Sequence, residues 1–126
     1  MGNITERVPI LKGEKESYKH SAAKAVLQRW LSVDWEAIQE AEFSIDGYKF
    51  YTDVATFTDG HLQAFYEVVH KHEIDDKKLS KMQHYCYRHN LDIFCYEISA
   101  DWILSQVDKP DRLVKINFDL SSNLNS

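Results

Sequence analysis

A chain of 126 residues fits one domain and is long enough to bury a single core. Its 44% hydrophobic and 28% charged residues argue against disorder, and no apolar run approaches the roughly 20 residues a membrane span needs. The formal charge of -5 counts against a protein that coats nucleic acid broadly, although a local basic stripe can still follow a phosphate backbone.

Residues 1–13 read as an irregular arm ending at Gly13, without the charged-then-apolar profile of a signal peptide. Two cysteines, Cys86 and Cys95, make no disulfide framework, so a reduced, cytoplasmic setting is expected. Helix-favouring residues from Glu14 to Leu31 predict a first helix with the stripe Ala23, Leu27 and Trp30. Trp35 to Ala41 is read as a short further turn of helix. Three strands are then expected, over about 41–45, 48–57 and 62–71. Asp46-Gly47 and Asp59-Gly60 are the residues that two-residue hairpin turns require, because both positions adopt positive φ. A second helix fits 75–89, with Asp75 or Asp76 as its cap, Leu79, Met82 and Cys86 as its apolar face, and Asn90 as its stop. Residues 91–98 read as a central strand, 99–107 as a short helix capped by Ser99, and 112–120 as a last edge strand. The domain is therefore 14–120, followed by a polar tail at 121–126. The expected fold is α/β, with the order αβββαβ and a mixed four-stranded sheet flanked by helices.

Some polar residues fall where packing alone would not put them. Extended backwards, the first helix's stripe carries Glu16 and His20 onto its core-facing side; the bland alternative is a first turn that projects beyond the sheet into water. Glu67 lies in Ala64-Phe65-Tyr66-Glu67-Val68-Val69, and Asp53 in Tyr51-Thr52-Asp53-Val54-Ala55. A carboxylate among apolar neighbours must be paired, hydrogen-bonded, metal-bound or protonated. The turn at Asp59-Gly60 sets Asp53 opposite Glu67 across the hairpin. Two carboxylates that close suit a cation between them, and oxygen ligands suit Mg²⁺ or Mn²⁺; an ion pair with a core lysine or arginine is the alternative. Lys78, in the series Lys78, Met82, Tyr85 and His89, is placed to reach Glu67 or simply to lie along the surface. Lysines 12, 15, 19 and 24 near the first helix, with 71, 77, 78 and 81 around the second, are candidates for a basic stripe or for two solvated helix faces. His70 and His72 share one strand face, but no zinc-type spacing supports them as ligands.

These residues resemble a known pattern. Glu16-Ser17-x-x-His20-x-x-Ala23-Lys24-x-x-Leu27, Asp53-Val54, the segment from Glu67 to Leu79 and Tyr96-Glu97-Ile98 are together similar to the nuclease-like domain of CoiA-type competence proteins, in the PD-(D/E)XK superfamily. The resemblance covers 16–98 and implies a restriction-endonuclease-like core and metal-dependent hydrolysis of phosphodiester bonds in DNA. It implies Asp53, Glu67 and Glu16 as ligands of Mg²⁺ or Mn²⁺, with His20 or His72 assisting proton transfer. The lysine expected two residues after the glutamate is Val69 here, so Lys78 from the following helix is the candidate in its place. DNA is the expected partner, a membrane is not, and a homodimer is plausible for so small a domain. The competing expectation is an inactive nuclease fold that binds nucleic acid or protein.

Overall fold

The computed structural model describes residues 18–70, 74–107 and the backbone of 116–119. Helix α1 spans Tyr18–Leu31 and is followed by strands β1 (Glu36–Ile45), β2 (Tyr48–Thr58) and β3 (His61–Val69). Helix α2 (Asp76–His89), strand β4 (Phe94–Ser99), helix α3 (Ala100–Ser105) and strand β5 (Ile116–Asp119) complete the described elements. The protein is α/β, with a mixed sheet in the order β1-β2-β3-β4-β5. Strands β1 to β3 are antiparallel, β4 runs parallel to β3 through the α2 crossover, and the short β5 adds antiparallel to β4. Among the described residues no helix is long and apolar enough to cross a membrane.

Local chemistry explains most of the boundaries. Asp46 and Gly47 have φ of 49° and 85°, and Asp59 and Gly60 have 51° and 80°, the doubly left-handed backbone of tight hairpin turns. The Asp75 carboxylate caps α2 by accepting from Lys77 N–H, and Asn90 ends it in a left-handed conformation. Ser99 caps α3 by accepting from Trp102 N–H.

One expected element is corrected. The segment 35–41 is not a turn of helix: β1 begins at Glu36 and pairs with β2 from Glu36↔Phe57 to Ile45↔Tyr48. Glu36, Ala37, Gln39, Glu40 and Ala41 favour a helix in isolation. Cross-strand pairing and burial of Ala37 and Ala41 outweigh that weak local preference.

Two cores sandwich the sheet. On one side Ala23, Val26 and Leu27 of α1 and Ile103 of α3 pack with Ala37, Val54, Tyr66, Val68 and Ile98. On the other, Met82 and Cys86 of α2 pack with Ala41, Phe43, Phe50, Ala55, Phe65 and Cys95. Strand residues two apart share a face, so Ala37 and Ala41 belong on the same side, as do Phe50 and Val54. They lie on opposite sides. The change falls at Glu40, whose φ is 52°, and at Asp53 across from it, since pairing passes from Gln39↔Val54 to Ala41↔Thr52 with no pair between. The hairpin is therefore twisted over at its middle, and its outer half turns its aromatic residues onto α2. There Phe43 sits 5.1 Å from Phe65, 5.2 Å from Tyr85 and 5.3 Å from Phe50, centroid to centroid.

Candidate functional site

The β2–β3 ladder starts from the tight turn, shifts register once between Thr56 and Phe57, and stops at Val54↔Tyr66. Beyond that pair the two strands part, because the outer half of β2 follows β1. Asp53 then has no ladder partner on either side, and the backbone amides at the parting are satisfied by side chains instead. Asp53 N–H donates to Glu67 Oε2 at 3.1 Å, and Val68 N–H donates to Asp53 Oδ2 at 2.7 Å. The two carboxylates thus hold each other's strands. The sequence placed them opposite one another, and the structure brings them together by this exchange rather than by a regular backbone pair.

Each carboxylate also has a partner on a different helix. Lys78 Nζ of α2 donates to Glu67 Oε1 at 2.8 Å. His20 of α1 places Nε2 2.7 Å from the Val68 carbonyl and 3.4 Å from Asp53 Oδ2. Glu67 is 6% exposed, and burial, reinforced by the neighbouring Asp53 charge, pushes its carboxyl from the ordinary 4.5 up to about 7. Lys78 opposes that rise without cancelling it. Desolvation wins over the ion pair.

Three further groups border this site, and sequence reasoning gave none of them a role in it. Glu97, the lateral neighbour of Glu67 in the parallel β3–β4 pair, is buried, and its Oε2 accepts from Ile74 N–H at 2.9 Å. Its signal was the one that singled out Glu67: a carboxylate flanked by apolar residues in a central strand. Lys24, one turn after His20, is 5% exposed and pairs with Glu40. The sequence put the lysine in a basic stripe or on a solvated helix face, where the structure buries it, and its acid was not legible. Glu40 reaches it from the twist in β1, which no local residue pattern announces.

Of the other expected site residues, Glu16 and His72 lie outside the described residues, as do lysines 12, 15 and 71. The two lysine groups do not form a continuous stripe among the described residues: Lys24 is buried, Lys19 pairs with Asp101 at 2.9 Å, and Lys77, Lys78 and Lys81 gather near the start of α2. Both cysteines are buried and unbonded to one another, and burial raises both thiols, Cys86 to about 12. Neither supplies a thiolate near neutral pH. Among the described residues no three histidine, cysteine or acidic side chains converge as a metal cluster.

The donor chemistry near Asp53 and Glu67 is nonetheless of the kind a hard cation takes. Two carboxylates and the Val68 carbonyl are all oxygen, and Mg²⁺ commonly binds through one or two carboxylates with water completing its shell. No family model, curated protein or solved structure matches the chain.

Proposed function

We propose that this chain is a metal-dependent nuclease of the PD-(D/E)XK type, with a restriction-endonuclease-like core, that hydrolyses phosphodiester bonds of DNA. The observation that carries the reading is the parting of β2 and β3 at Asp53 and Glu67, with Lys78 from α2 on the second carboxylate. An acid pair at a strand opening, joined by a lysine, is the constellation that the αβββαβ order would need for this chemistry. Asp53 and Glu67 would hold Mg²⁺ or Mn²⁺, which supplies charge for the phosphate and a more acidic water. Lys78 steadies the Glu67 charge and presents an ammonium beside it. His20 positions Asp53 and the Val68 carbonyl through one ring nitrogen.

A second reading has its own support. Both Glu67 oxygens are already engaged, Oε1 by Lys78 and Oε2 by the Asp53 amide, and Val69 stands where the usual lysine would be. An inactive nuclease fold that binds nucleic acid or protein would look like this.

Calorimetry with Mn²⁺ near pH 7, run beside cleavage assays on linear and branched DNA, separates the two. The nuclease reading expects metal uptake accompanied by proton release, as the ion displaces the Glu67 proton, and expects cleavage that disappears in Asp53→Asn. A folded wild type that cleaves no DNA or RNA with either metal would overturn the nuclease reading and favour the binding module.

A further inference from the structure

Between the outer half of the hairpin and the first turns of α2 lies an open groove of about 410 Å³, within the range of about 300–1,000 Å³ typical of ligand sites. Its walls carry Lys49 and Tyr51 from β2, with Lys77, Lys78 and Lys81 from α2 and Asp75 as the single acid among the lining residues. Four lysines against one carboxylate is a local inversion in a chain whose formal charge is -5. The acid is occupied in capping α2 through the Lys77 backbone N–H, and the Lys77 ammonium forms no ion pair among the described residues. Lys49 pairs with Glu42 at 3.1 Å, while Lys81 reaches the Lys49 carbonyl at 3.3 Å and so spans the groove. One wall lysine, Lys78, is the residue that touches Glu67. The groove therefore shares one wall residue with the carboxylate pair.

We infer that this groove seats a single strand of nucleic acid, with its phosphates on Lys49, Lys77 and Lys81 and a base on the exposed ring of Tyr51. One feature favours a strand over a duplex. Tyr51 is 45% exposed beside the lysines, and an aromatic face next to cations is the arrangement that holds unpaired bases without reading their sequence. The inference deepens the nuclease reading, and rests on it for the placing of a strand next to Glu67.

The test is fluorescence anisotropy with a labelled oligothymidine about 15 nucleotides long, and with a duplex of the same length, in EDTA so that no cleavage occurs. Lys77→Glu should weaken single-strand binding about tenfold and lower its salt slope by about one phosphate's worth. Arg29→Glu, the same charge change on exposed α1, should alter it less than about twofold. Tyr51→Ala should weaken the single strand at least about fivefold while leaving the duplex unchanged, and Tyr51→Leu, which keeps bulk in the strand without an aromatic face, should do the same. Equal losses in Lys77→Glu and Arg29→Glu would overturn the groove, as would single-strand binding indifferent to both Tyr51 variants, or binding to anionic lipid vesicles with none to the oligonucleotide. The two proposals fail separately. A wild type that binds as described in EDTA yet cleaves nothing with Mn²⁺ keeps the groove and removes the nuclease, whereas cleavage with binding untouched by these variants does the reverse.

Discussion

Two acid–base clusters tie the β-strands to α2, and they have almost the same bond lengths with opposite electrostatics. At the hairpin tip, Asp46 lies 2.7 Å from His84 Nε2 and 2.6 Å from Arg88 Nη1, all three well exposed. At the strand parting, Glu67 lies 2.8 Å from Lys78 Nζ and is buried. The His84 hydrogen bond outweighs desolvation at Asp46 and, joined by Arg88, holds its carboxyl below the ordinary value. Burial drives the Glu67 carboxyl up to about 7 although its lysine is just as close. Distance alone therefore does not say what an ion pair contributes. The exposed cluster is a fastening for the twisted hairpin. The buried one is a carboxyl that desolvation keeps protonated further up the pH scale.

The largest test of this contrast is Lys78→Met. It leaves Glu67 buried without its cation, and should cost about 2–3 kcal/mol of stability where the carboxyl is ionised. In urea melts the loss should shrink towards about pH 5, where folded Glu67 is already neutral. A loss independent of pH would mean that Lys78 contributes through its hydrocarbon stem and not through its charge.

A smaller effect is expected from Glu67→Gln, and its sign follows from linkage. The folded value, about 7, lies above the ordinary 4.5. Between those values the folded chain holds more protons than the unfolded one, so Glu67's contribution is fully present below about pH 4.5 and is lost as the pH rises through about 7. Glu67→Gln should remove that decline, making the variant relatively more stable in alkaline than in acidic buffer. A wild-type stability that instead rises over this range through Glu67 would overturn the burial argument.

The smallest change should come from Asp46→Asn. Asparagine suits the hairpin turn as well as aspartate does, so only the exposed pairing is lost. Differential scanning fluorimetry should show a slight drop in the melting midpoint at low ionic strength and none in high salt. A large drop that survives salt would make the tip cluster as strong as the buried one, and the contrast between them would fail.

Much of the fold was legible because its signals are local. Asp-Gly at both turns requires left-handed backbone, Asp75 and Ser99 are good helix caps, and Asn90 tolerates the left-handed stop. Counting back from the turn at Asp59-Gly60 was enough to set Asp53 against Glu67. The apolar flank of α2 left Lys78 either reaching Glu67 or lying along the surface, and the structure sets its ammonium on Glu67.

What the sequence could not give came from competition between distant segments. The first residues of β1, Glu36 to Ala41, prefer a helix alone and become a strand only because β2 supplies their partners. The twist at Glu40 and Asp53 arises because Ala37 and Val54 are buried under α1 while Phe43 and Phe50 are buried over α2, and one flat hairpin cannot serve both cores. That compromise parts β2 from β3 and leaves amides for Asp53 and Glu67 to satisfy. It also opens the lysine-lined groove beside them. By itself the sequence determined which residues turn, cap and alternate, since those preferences act over a few bonds. Only the tertiary structure decided where the sheet opens, because that depends on two cores competing for one hairpin.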